Sequence, residues 1–124
     1  MIEFKPLLND AAVKSDFGEN AVAYIAADSD YETARCVFTV DGMSTRIHEL
    51  KAPCDDPLTV EGLVRSALTY AANRDSFTAY IAAKSVNNEC AKVLTSLKFE
   101  LEGDYYTVDI PDVFIGGCCS NCNK

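Results

Sequence analysis

The chain has 124 residues, 48% of them hydrophobic and 24% charged, with nineteen acidic against eleven basic side chains and a formal net charge of -8. That length fits one domain able to bury roughly two thirds of its unfolded surface, and no apolar run approaches the ~18 residues of a membrane helix. The negative field repels nucleic-acid phosphates and anionic lipid, so neither nucleic acid nor membrane is an expected partner, and it favours a cationic substrate such as an amine.

The amino terminus, Met1-Ile2-Glu3-Phe4-Lys5-Pro6, lacks a basic region followed by a long apolar core and reads as structure rather than a secretory signal. Six cysteines without such a signal point to reduced thiols and a cytoplasmic location.

In chain order, Ile2 and Phe4 alternate with Glu3 and Lys5 as in a half-buried strand, which Pro6 should stop. Residues 7–14 suit a short helix capped by Asn9 or Asp10, and residues 15–20 carry turn chemistry. Residues 21–27 form an apolar run ended by Asp28-Ser29-Asp30 and read as a strand. Residues 34–40 and 43–50 read as an antiparallel hairpin around Asp41-Gly42. Strict alternation there puts Cys36, Phe38 and Val40 on one face, groups Thr45 and Ile47 with Glu49, and sets Arg46, His48 and Leu50 opposite.

After a polar connection holding Pro53, Cys54, Asp55 and Asp56, Asp56 is a plausible N-cap with Pro57 at the first helical position. Val60, Leu63, Val64, Ala67, Leu68 and Ala71 then keep helical spacing up to Asn73. Residues 77–83 suit a buried central strand, and a second helix follows with Ala91, Leu94 and Leu97 on one stripe. Residues 99–109 read as one long strand or a bulged hairpin around Gly103. Antiparallel strands first, then helix, strand, helix, strand, define an α+β sheet covered by helices, over residues 1–114, with a Gly/Cys-rich flexible tail at 115–124. The strand order is not legible from this pattern.

The segment running from Asn87 through Val93, Leu94 and Leu97 to Phe99 resembles the GNAT N-acetyltransferase pattern in which an asparagine opens a helix that ends in Leu-Gly-Phe. Glu102-Gly103-Asp104-Tyr105-Tyr106 resembles the family's penultimate strand entry, and the upstream order of hairpin, helix and strand matches its central sheet. The resemblance implies a mixed, mostly antiparallel sheet flanked by helices and transfer of an acetyl group from acetyl-CoA to a small amine. It implies that the backbone of Thr59, Val60, Glu61, Gly62 and Leu63 meets the cofactor pyrophosphate, with Asn87 near the cofactor arm. The fourth strand then offers Glu49 or His48 as the general base, with Glu49 preferred, and Tyr105 or Tyr106 as the acid that protonates the departing thiolate if its strand brings the hydroxyl into the cleft, because Thr95 stands at the family's usual tyrosine.

Aligning the last glycine of the family's phosphate loop with Gly62 puts Pro57 where Arg or Gln is usual and Val60 where the first glycine is usual. Asp55, Asp56 and Glu61 add negative charge there, with Lys51 and Arg65 as nearby cations. Ser85, Asn87 and Asn88 would also cap a helix without any ligand. The competing reading is a non-catalytic member of the same fold that binds a ligand or partner, with a metal- or redox-responsive tail. Cys118, Cys119 and Cys122 supply three soft ligands, one short of a closed zinc site, which makes metal binding the less favoured use of the tail. A terminal strand left open could pair across a homodimer.

Overall fold

The computed structural model describes residues 2–29, 31–52 and 56–114. The expectations for Cys54, Asp55 and the cysteine-bearing end fall outside those residues.

Seven strands form one sheet in the order β1-β2-β3-β4-β5-β7-β6. They are β1 (Ile2–Leu7), β2 (Val22–Asp28), β3 (Tyr31–Asp41), β4 (Ser44–Lys51), β5 (Thr78–Ala82), β6 (Glu100–Glu102) and β7 (Tyr105–Asp109). Every neighbouring pair is antiparallel except β4 with β5. That parallel pair is joined by α2 (Pro57–Ala72), while α1 (Ala11–Phe17) links β1 to β2 and α3 (Asn88–Ser96) links β5 to β6. No described helix is long and apolar enough to cross a membrane.

The main core lies on one face of the sheet, where Val60, Leu63, Val64, Ala67, Leu68 and Ala71 of α2 and Cys90, Val93 and Leu94 of α3 pack over Cys36, Phe38, Ile47 and Ile81. On the other face α1 buries Val13 against Ala21, Ala23 and Val37, with Leu7 and Phe17 at the margin. One seven-residue helix is too short to cover seven strands, so this second core stops near β4.

Several boundaries follow from capping and edge effects. Asp10 Oδ1 accepts the Val13 N–H at 3.0 Å, so the first helix starts at Ala11 rather than near residue 7, and Leu7 stays in β1. Pro6 does not end β1: it pairs with Tyr24 in an edge strand, where a missing N–H can face solvent. The hairpin turn centres on Gly42-Met43, because Asp41 pairs with Ser44 and Gly42 takes φ +62°. Residues 99–109 resolve into the β6–β7 hairpin, with Gly103 at φ +64° in its turn.

The expected face assignment in β4 fails at one residue. Phe38 pairs with Ile47 and Val37 with Glu49, so His48 is an extra residue, a β-bulge. Beyond it the alternation resets. Leu50 joins Ile47 in the α2-side core, and Glu49, opposite Val37, goes to the α1 side with His48. The His48 ring stacks on Phe17 with centroids 5.4 Å apart, and its Nε2 lies 2.8 Å from Thr39 Oγ1. Partial burial, helped by the Arg46 charge, holds its pKa below the ordinary histidine value, so the ring is neutral at pH 7.

The start of β4 is tied to the start of β5 by side chains as well as by backbone. Thr45 and Ser76, both buried, share a hydroxyl hydrogen bond of 2.7 Å. The Phe77 and Thr78 N–H groups both reach Met43 O, at 2.7 and 3.1 Å. Thr45→Val should cost about 1–2 kcal/mol by leaving the buried Ser76 hydroxyl only its long 3.4 Å bond to Thr78 O, while Thr45→Val with Ser76→Ala should recover part of that loss. Denaturant unfolding of the four proteins in the cycle measures the coupling, and strictly additive costs would show the hydroxyls to be independent.

At the end of α3, Lys98 takes φ +83° so that the Phe99 N–H can reach Leu94 O at 3.0 Å and the Phe99 ring can enter the core. A left-handed lysine pays roughly 1 kcal/mol that glycine would not. Lys98→Gly should therefore raise the thermal midpoint by a few degrees, and an unchanged or lower midpoint would place the strain elsewhere.

Candidate functional site

The ladder between β4 and β5 runs from Ser44–Thr78 to Ile47–Ile81 and then stops. β4 continues for four more residues, whereas β5 ends at Ala82 and turns into a 3-10 segment, Ala83–Ser85. Two parallel strands pinned at one end therefore part at the other, just where the His48 bulge bends β4 outward. The β4 backbone from His48 to Lys51 has no β5 partner among the described residues, leaving donors and acceptors that an extended ligand could pair with.

The chain leaving this end of β4 enters α2, whose N-terminus is already engaged. Asp56 Oδ1 accepts the Thr59 N–H at 3.2 Å, its other carboxylate oxygen accepts the Thr59 hydroxyl, and its carbonyl accepts the Val60 N–H at 3.3 Å. Pro57 has no N–H, and from Glu61 onward the amides belong to the helix ladder. Of the first-turn donors only that of Leu58 has no intrahelical partner. The side chains behave likewise: Val60 and Leu63 are buried in the core, and Glu61 pairs with Arg65 at 3.0 Å. Arg65 also reaches toward Val113 O and lies over the Phe114 ring, so it is held away from the mouth of the strand gap.

Gly62 has a structural use of its own. A β-carbon there would overlap the ring of Phe4, which packs from β1 across this turn of α2. Close approach of an aromatic ring, rather than of a phosphate, is what the structure shows at this glycine.

The two acid–base candidates come to the same face of the sheet. Glu49 lines a shallow polar depression with Asp16, Thr33, Arg35 and Lys51 beside α1. Arg35 is itself held by Glu32, whose carboxyl it keeps below the usual carboxylate range. Tyr105 pairs with Ala82, the residue after Ile81, which sets it level with the bulge two strands away from β4. At ordinary strand spacing that is about 10 Å, and the parting of β4 from β5 widens it.

Asn87 caps α3, its Oδ1 accepting the Cys90 N–H at 2.8 Å, and the Thr95 hydroxyl donates to Ala91 O at 2.9 Å. Both side-chain oxygens are thus committed to the helix. Cys36 is fully buried and burial pushes its thiol up to about 12, so it is no nucleophile. Among the described residues no group of three or more His, Cys, Asp or Glu is arranged to hold a metal.

The second half of the sheet carries a feature that the sequence reading missed. Thr78 and Tyr80 of β5 and Tyr105 and Thr107 of β7 point away from the core and floor an open depression of about 710 Å³, edged by Glu100, Glu102, Asp109, Asp112 and Lys98. Tyr80 meets Tyr105 edge to face, with centroids 5.6 Å apart. The signal was present in the alternation of Thr78 and Tyr80 against Ala79 and Ile81.

No family model and no curated protein sequence matches the chain. Solved structures do. A probable acetyltransferase from Staphylococcus epidermidis superposes with TM-score 0.70 at 15% identity, covering 88% of this chain and 99% of its own. A Desulfovibrio desulfuricans protein assigned to the GNAT family of acetyltransferases gives 0.68 at 8% identity, covering 89% and 99%. A mutant AtaT toxin, solved with the C-terminus of the antitoxin AtaR and acetyl-CoA, gives 0.69 at 12% identity, covering 93% and 97%. Identities this low carry the architecture alone, and the architecture of this chain is that of the GNAT acetyltransferases.

Proposed function

We propose that the protein is an N-acyltransferase moving an acetyl group from acetyl-CoA to a small amine. The observation that carries this reading is the parting of β4 and β5 at a bulge, with Glu49 on one side of the opening and Tyr105 on the other. Acetyl-CoA would supply an activated acetyl thioester to that opening. The unpaired β4 backbone past His48 offers hydrogen bonds to an extended arm and an N–H to a carbonyl oxygen that gains negative charge. Glu49, partly buried beside α1, accepts the proton that an ammonium must lose before its nitrogen can attack. The Tyr105 hydroxyl holds a proton for the leaving sulfur.

The fit is uneven, and the unevenness gives a second reading its ground. The opening suits an extended arm, but the Asp56 carboxylate occupies the helix end where a pyrophosphate would bind. A non-catalytic ligand- or partner-binding protein would retain the fold and need no such phosphate contact. Titration calorimetry with acetyl-CoA separates the two: saturable binding in the micromolar to low millimolar range supports the transferase, and no heat at millimolar ligand favours the second reading.

Two substitutions sharpen this. Asn caps a helix about as well as Asp, so Asp56→Asn should leave the fold intact while tightening acetyl-CoA binding about tenfold by removing one repelling charge; unchanged affinity would show that the phosphates do not approach α2. Glu49→Gln should lower acetyl transfer at pH 7 by at least about a hundredfold with little change in acetyl-CoA affinity. Equal rates for wild type and Glu49→Gln would remove Glu49 as base.

A further inference from the structure

We infer that His48 is a positioning residue for the transfer proposed above: its ring fastens the β4 bulge to β3 and to the end of α1, and thereby sets where Glu49 and the unpaired backbone beyond it stand. This rests on the transferase reading and adds to it a residue that acts through its neighbours.

An extra residue in a strand has no ladder partner of its own, so something other than the ladder must hold it. At His48 the side chain does so. Its Nε2 lies 2.8 Å from Thr39 Oγ1 on β3, and its ring stacks on Phe17, the last residue of α1, with 26° between the planes. Val37 is the β3 partner of Glu49, and Thr39, two residues further on, is the partner of Arg46. The hydrogen bond therefore turns the ring toward the Thr39–Arg46 row and away from the carboxylate. Glu49 is left facing the polar depression, about 460 Å³, that it lines with Asp16, Thr33, Arg35 and Lys51.

The same contact sets the width of that depression. Asp16, on the α1 wall, precedes Phe17, and Glu49, on the β4 wall, follows His48. α1 has seven residues and buries only Val13, so its last turn meets the sheet through Phe17. Removing the ring would release both walls at once. Imidazole suits the place because it offers a flat face to Phe17 and a nitrogen to Thr39 together, where Phe keeps only the first and Asn only the second. The ring carries little of the fold: Ile47 and Leu50, on either side of the bulge, hold β4 to the main core, which His48 does not enter.

The test is a mutant cycle read in two ways, by NMR on the free protein and by the kinetics of acetyl transfer. Phe17→Leu removes the flat face from α1 and Thr39→Val the hydroxyl from β3, each made in the wild type and in His48→Ala. With the ring present, each should shift the backbone amide signals of Glu49, Leu50 and Lys51. Each should also lower kcat about tenfold, and His48→Ala about thirtyfold, with thermal midpoints within a few degrees of wild type. In the His48→Ala background neither should have any further effect on signals or rate. His48→Phe and His48→Asn, each keeping one of the two contacts, should recover part of the loss. Equal effects of Phe17→Leu in the two backgrounds, or an unchanged kcat in His48→Ala, would overturn the inference. A wild type that transfers no acetyl group would sink the transferase reading instead, and the amide signals would still decide whether His48 holds the bulge, since additive shifts in the cycle would show that it does not.

Discussion

The hydroxyl bond between Thr45 and Ser76 decides the shape of the middle of this molecule. It clasps the first turn of the parallel β4–β5 pair, with Met43 O taking two amides from the same junction. Parallel strands joined through a helix have no hairpin to hold them together, and here the helix returns the chain to one end only. Fixing that end leaves the twist of the sheet and the bulge at His48 to separate the strands at the other. The strand opening and the level of Tyr105 depend on where that clasp sits, while the bulge against β3 puts His48 and Glu49 on a common face.

The N-terminus of α2 is a place where stability and ligand binding compete for the same donors. An N-cap carboxylate stabilises a helix by about 1 kcal/mol and complements the helix dipole. A bound pyrophosphate would need those same amides and the same positive end. In this chain the donors belong to Asp56, with Thr59 contributing its hydroxyl as well, and Glu61 is neutralised by Arg65. The balance favours the helix standing by itself. Any anionic ligand must displace that arrangement or lie beside it.

Most of the architecture could be read from the amino acids because its signals are local. The β3–β4 hairpin, the Asp56-Pro57 start of α2, the apolar stripe of α2 and the capping Asn87 each depend on a few adjacent residues, and each forms where expected apart from a one-residue shift of the hairpin turn. The strand order, by contrast, depends on pairings between distant segments, and the parallel contact of β4 with β5 has no local mark. The candidate site was harder still. A bulge shifts every later side chain to the other face, so strict alternation misassigned Glu49 and Leu50. The clue was the three-residue step from Ile47 to Leu50 across two polar residues, where a regular strand would step by two. The residues matched to the phosphate loop were found inside a helix with their amides already used, and Gly62 was found under an aromatic ring.

That ring also orders events in time. β1 is made before β2 and can pair with it as soon as residue 28 has emerged, yet Phe4 has no surface to rest on until Gly62 arrives in a formed α2. Until then this edge of the sheet exposes an aromatic side chain on an open strand, held by backbone hydrogen bonds and the packing of Leu7 at its far end. The amino-terminal strand is thus made early and secured late, across nearly sixty residues of intervening chain. During synthesis that interval is when a chaperone or a neighbouring strand edge would find it.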